Sequence, residues 1–232
     1  MDANFKKLFT VYFLFIIPVV LIAQKDVTQF LGIPVDGSKA VMIEKLKSKG
    51  FTMVPNTDIL VGQFNGSSVY VTIATNNKKV CRIAISDVHK CNASDIKIRF
   101  NNLIQQFAKN EKYMASSLNY EEYLISKDED IAYEMSVNNK RYQAAFYQLP
   151  LKIDKVALAE TVISKLALKY TEEQISNPTE ELTLDLISLE FQVMLDIYSK
   201  KSVWFMISET YGKYYISMFY DNEYNRADGE DL

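Results

Sequence analysis

The stretch ILVGQFNGSSVYVTIATNNKKVCRIAI, residues 59–85, decides the fold. It holds three short runs, 59–64, 69–74 and 80–85, rich in Val, Ile, Tyr, Phe and Thr, the residue types that suit a pleated, half-buried surface. Asn65-Gly66 separates the first run from the second, and Asn76-Asn77 separates the second from the third. Asn and Gly tolerate the positive φ that tight hairpin turns demand. The runs are therefore expected as neighbouring antiparallel strands, a meander.

Outward from this stretch, helical periodicity takes over. On the N-terminal side, Ile33-Pro34-Val35-Asp36-Gly37 leads into a helix with Asp36 or Ser38 as its N-cap. Ala40, Ile43 and Leu46 share one face of it, and Gly50 stands at the C-cap. On the C-terminal side, Ser94 and Asp95 open a helix whose Ile96, Phe100, Leu103 and Phe107 form one apolar stripe. Residues 110–127 fit helix or loop. Runs 131–137 and 142–148 flank Asn138-Asn139-Lys140 and are expected as a second hairpin. Val156, Ala159, Ile163, Leu166 and Tyr170 mark another helix. A further one is expected from Asn177 as N-cap, with Pro178 at the first helical position and Glu180 as capping-box partner. Its stripe is Leu182, Leu186, Leu189, Val193 and Ile197. Runs 203–208 and 214–220 close the chain as a hairpin around Tyr211-Gly212. The fold class that follows is α+β, with antiparallel hairpins and a meander packed against amphipathic helices and an aromatic hairpin at the C-terminus. Residues 24–232 are expected as a single globular unit. The element order also allows two diverged lobes meeting near 110–127.

Composition removes several chemistries. The chain of 232 residues holds one His, two Cys, seven Gly and a formal charge of −3. One His excludes a His-rich zinc site and an H-E-x-x-H helix. The glycines form neither G-x-G-x-x-G nor a P-loop, so no phosphate cradle and no cofactor are expected. An acidic balance without a basic stripe argues against nucleic acid. Lys6 and Lys7, the apolar run 8–22 and Ala23 before Gln24 have the form of a secretory signal cleaved after residue 23. The run is shorter than the roughly 20 residues that span a bilayer. The mature chain is thus expected to be exported, with no membrane span, in the periplasm or at the cell surface. An oxidising compartment makes Cys81 and Cys91 a disulfide candidate. Regular strand between them would hold them roughly 30 Å apart. A bond would need the chain to reverse near 87–90, and otherwise both thiols are free.

Among candidate sites, His89 lies in Asp87-Val88-His89-Lys90-Cys91, a spacing too unspecific for a metal or nucleophilic centre. It is expected as an exposed loop residue. Asp128, Asp130 and Asp221 are the carboxylates that a glycosidase-like pair could draw on. The aromatic hairpin is the more distinctive feature. Period 2 puts Tyr214, Ile216, Met218 and Tyr220 on one face and Tyr215, Ser217 and Phe219 on the other. Trp204 joins from the paired strand and Tyr211 from the turn. Trp204, Tyr211, Tyr214, Tyr220 and Asp221 are the candidate binding residues, for a partner surface or for sugar rings. Burial of Trp204, Tyr214 and Tyr220 alike would remove that platform. The turn formers after Tyr220 are expected to order the tail through side-chain-to-backbone bonds.

The segments FLGIPVDG (30–37), YDNEYN (220–225) and GEDL (229–232), with the Ala23-Gln24 junction, resemble a family of exported Bacteroidetes proteins of unknown function. The similarity extends over most of the mature chain. It implies export and carries over no catalytic residue. The expectation is an exported binding or envelope-associated protein without a catalytic centre, its partner a protein or glycan of the envelope. The competing readings are a carboxylate-dependent hydrolase and an inhibitor of another exported enzyme.

Overall fold

The expected meander forms the first half of an eight-stranded antiparallel sheet in the computed structural model, which describes residues 26–150 and 153–227. The expected leader, its cleavage junction and the GEDL ending lie outside the described residues. A small ladder, β1 (Gln29–Phe30) with β2 (Ile33–Pro34), precedes helix α1 (Lys39–Ser48). Then come β3 (Thr52–Met53), β4 (Leu60–Phe64), β5 (Ser67–Asn76) and β6 (Lys79–Asp87). Helix α2 (Ala93–Ala108) leads to β7 (Tyr113–Ala115), a 3-10 turn (Tyr120–Tyr123), α3 (Ile131–Ser136) and β8 (Gln143–Gln148). A helical insert, α4 (Lys155–Leu166), α5 (Glu172–Ser176) and α6 (Glu180–Ser199), precedes β9 (Ser202–Thr210) and β10 (Lys213–Asp221).

The strand order β3-β4-β5-β6-β10-β9-β8-β7 reads alike from either edge. A helix followed by four meandering strands occurs twice, and the last strands of the two units, β6 and β10, pair antiparallel in the middle of the sheet. The chain passes from one unit to the other at residues 88–92. Residues 110–127 lie within the second unit, as β7 and the 3-10 turn.

Four tight turns have positive φ at both central residues: Leu31-Gly32, Asn65-Gly66, Asn77-Lys78 and Tyr211-Gly212. That backbone twist matches the twist of paired strands and fixes the register. Ser38 caps α1, with its side chain accepting from the Val41 N–H. Asn92, rather than Ser94 or Asp95, caps α2, and its Oδ1 accepts the Asp95 N–H at 2.9 Å.

Two expectations are corrected. Run 131–137 forms helix α3 instead of a strand, because the Asp130 carboxylate accepts the Ala132 and Tyr133 N–H groups, both at 3.1 Å. Asn177 closes α5, and Thr179 caps α6, so Pro178 stands outside the last helix.

One face of the sheet carries the main core. Val71 of β5, Ile83 of β6, Ile216 of β10, Phe205 of β9 and Phe146 of β8 are buried beneath α1 and α2. Met42 and Leu46 descend from α1, and Ile96, Phe100, Leu103 and Phe107 from α2. Each such side chain removed from water stabilises by about 1.5–3 kcal/mol relative to exposure. Asp87, at the end of β6, staples α2 to the sheet. Its carboxylate accepts from Arg99 at 2.5 and 2.8 Å and from the Ile216 N–H at 3.0 Å. Gly62 of β4 lets the Phe51 ring come so close that an added Cβ would lie 2.5 Å from it.

The two distinctive terminal segments meet. Phe30 and Tyr220 pack with ring centroids 5.0 Å apart. Asn222 donates to the Val35 carbonyl at 2.7 Å, and Asn225 donates to Asp36 and to the Val80 carbonyl, both at 2.8 Å. The C-terminal turn formers thus order the tail by clasping the start of the folded chain.

Candidate functional site: the open face of the sheet

Because side chains alternate across a strand, the residues between the core positions form a second face. The cross-strand register arranges it in rows. One runs Tyr70, Ser86, Ser217, Met206, Gln143; the next Thr72, Ala84, Phe219, Trp204, Ala145. A third holds Ala74, Arg82 and Asp221, with Ser202 and Tyr147 farther along. Apart from Asp221, every residue in these rows is half-buried or exposed. An antiparallel sheet commonly leaves one face to water. Such a face ordinarily alternates charged and polar side chains, yet the charges in these rows are only Arg82 and Asp221, and they neutralise one another.

At its middle, Trp204 and Phe219 stack with centroids 4.1 Å apart and planes 24° from parallel. The Arg82 guanidinium lies 5.1 Å from the Phe219 centroid and 5.6 Å from that of Trp204. Asp221 holds the group in place. It accepts from Arg82 Nε at 2.5 Å, from Arg82 Nη2 at 2.8 Å and from Trp204 Nε1 at 2.9 Å. A bidentate arginine–carboxylate pair fixes geometry as well as charge. The result is a rigid patch of two rings and a guanidinium flanked by Ala, Ser and Thr side chains. The stack occupies one face of each ring, which leaves less ring surface for a sugar to lie against.

The sequence candidates divide between the two faces. Tyr214 and Tyr220 are 6% and 3% exposed in the core, so they are corrected from binding residues to packing residues. Their positions alternate with Tyr215 and Phe219, which face outward. Trp204 stays on the open face. Asp221 is buried and positions Arg82 and Trp204, its carboxylate already filled by three donors. Tyr211 is fully exposed at the β9–β10 turn with φ 53°. The alternation of 213–221 carried the signal for Phe219. No local signal places Arg82, because the pairing of β6 with β10 joins residues far apart in sequence.

The remaining candidates have other surroundings. Both cysteines are free, and the disulfide alternative is corrected. β6 runs straight through, so Cys81 accepts from Asn222 at the end of β10 whereas Cys91 pairs with Tyr214 at its start. Eight residues of strand, roughly 26 Å, separate those positions. Burial pushes both thiols above their ordinary value of 9.0. His89 is exposed in the loop after β6. Asp130 is a helix cap, Asp128 lies exposed in a turn, and neighbouring Glu129 is bound by Lys140 and Tyr142. Among the described residues, no three His, Cys, Asp or Glu side chains gather as a metal site would require, and no helix is long and apolar enough to cross a membrane.

The fold defines an α+β protein in which α1 and α2 cover one side of an eight-stranded antiparallel sheet, and the rows through Phe219 and Trp204 lie on the other. No protein-family model, curated protein or solved structure matches the chain.

Proposed function

We propose that this is an exported binding protein that docks another protein of the cell envelope on the open face of its sheet, around Trp204, Phe219 and Arg82. The observation that carries the reading is the chemistry of that face. Cores of protein interfaces are depleted in charge and enriched in aromatic residues, Met and Arg. The three rows of this face hold Trp204, Phe219, Met206, Tyr70 and Tyr147, with Arg82 as their cation. Trp, Tyr and Arg are also the residues that most often dominate binding energy at such surfaces. A protein is favoured over a glycan because Trp204 and Phe219 spend a ring face on each other. Export follows from the leader-like residues 1–23 and from the resemblance to exported Bacteroidetes proteins. No catalytic role is assigned to Asp128, Asp130 or Asp221.

Capture of envelope proteins on the immobilised mature chain, beside its Phe219→Lys variant, tests this. A lysine there places an unpaired charge at the centre of the face without touching the core. A partner retained by the parent and lost by the variant is expected, with thermal midpoints within a few degrees. Equal retention by both, or capture of soluble glycans by both, contradicts the proposal. Intact mass of the exported protein is expected to begin at Gln24, and a mass beginning at Met1 contradicts the leader assignment.

A further inference from the structure

The helical insert has a small core of its own, separate from the sheet: Leu158, Val162 and Leu166 of α4 with Val193 of α6. The two helices run antiparallel. Tyr170, just past α4, donates to Asp185 near the start of α6 at 2.6 Å, while Leu158 shares a hollow with Met194 and Ile197 near the end of α6. Between them, bounded by Ile175 and Pro178, is a cleft of about 600 Å³. The space is a groove open to solvent, since Ile163 on its wall is 53% exposed. It lies in the range of small-ligand pockets and has room for on the order of 20 water-sized groups.

The walls are aliphatic: Leu158, Val162, Ile163, Leu182, Leu186 and Met194, among others. Two charged side chains line it, Lys155 and Glu190, both exposed and, among the described residues, without an ion-pair partner. Lys155 is the first residue of α4. The carboxylate just before it, Asp154, is already engaged by the Val156 and Ala157 N–H groups at 3.0 and 3.1 Å. Glu190 sits about two turns back along α6 from the end that faces Lys155, roughly 12 Å away along the axis. The cleft is therefore a slot of aliphatic wall with its free cation at one end.

We infer that this cleft binds the acyl chain of a long-chain fatty acid, whose carboxylate meets Lys155 at the mouth. The volume suits a single chain, and the one-ended ammonium suits an anionic head. Methylenes leaving water gain about 0.8 kcal/mol each, so a chain that fills even half the slot is held firmly. The site lies apart from Trp204 and Phe219 and does not depend on the protein-docking proposal.

Displacement of bound cis-parinaric acid from delipidated protein by palmitate, and separately by its methyl ester, tests the inference. Saturable binding near one equivalent is expected, weakened at least tenfold in Ala159→Phe, which fills the slot from a surface position. Lys155→Glu, an exposed change with no packing role, is expected to weaken palmitate several-fold and leave the methyl ester unchanged. Phe219→Lys is expected to bind as the parent does. Absence of saturable binding, parent-like binding by Ala159→Phe with its helical circular dichroism intact, or equal loss of acid and ester in Lys155→Glu would each overturn it. Displacement only by an amphipathic helical peptide would assign the groove to a protein partner and overturn it as well.

Discussion

At the scale of single residues, Asp221 organises the open face. It is a carboxylate with 7% side-chain exposure, and it holds a guanidinium and an indole in fixed positions. Replacing it with Asn keeps the shape, removes the charge and leaves Arg82 without its bidentate acceptor. Asp221→Asn is expected to lower unfolding stability by about 1–3 kcal/mol, read by urea titration. Because Trp204 is the single tryptophan, its emission is expected to shift in the folded variant. Unchanged stability and emission would mean that the pair has no positioning role. Glu129 gives a pH signature. The hydrogen bond from Lys140, and then that from Tyr142, hold its carboxyl below the ordinary 4.5. A depressed folded-state value means that this stabilisation is present above the unfolded-state value and fades as the pH falls through the folded one. Lys140 is 46% exposed, so the effect is at most about 1 kcal/mol. Glu129→Gln is expected to flatten that part of the stability profile below about pH 4.5. An unaltered profile there would contradict it.

At the scale of elements, the tight turns explain what the sequence makes legible. Asn65-Gly66 and Asn77 announce hairpins because Asn and Gly accept left-handed φ readily. The second turn falls at Asn77-Lys78 and leaves Asn76 in β5. The strands on either side follow from period 2. Run 131–137 misleads because Ile131, Tyr133 and Met135 also alternate. The Asp130 cap and the one-face spacing of Ile131 and Met135 win over that pattern in a helix of six residues. Tyr211 departs from the Asn-led turns of the large sheet, since a bulky residue takes the left-handed position there, as Leu31 does between β1 and β2. Its exposed ring gains no packing to offset that strain. Tyr211→Asn is expected to stabilise the fold by about 0.5–1 kcal/mol, seen as a higher thermal midpoint. A lower midpoint would show that the ring makes a contact the turn needs.

At the scale of the whole molecule, two helix-and-meander units join through β6 and β10, and that pairing sets both the core and the open face. It also explains why the site was only half legible. Alternation within 213–221 separates Phe219 from Tyr220, but which strand lies beside β10 is a non-local fact, and Arg82 arrives only through it. The same pairing keeps the cysteines apart, at opposite ends of β10. Alkylation of the unreduced, denatured protein is expected to add two adducts, and slowly in the native state because burial keeps both thiols protonated. Adducts that appear only after reduction would contradict this register.

The central claim is that the open face meets a protein partner, and photo-crosslinking in cells tests it most directly. A benzophenone side chain placed at Ser217, among the open rows, is compared with one at Ile98, which is 61% exposed on the outer side of α2. A discrete higher-mass adduct from position 217 and none from position 98 is the predicted result. Adducts from position 98 alone, or from neither, would contradict the account.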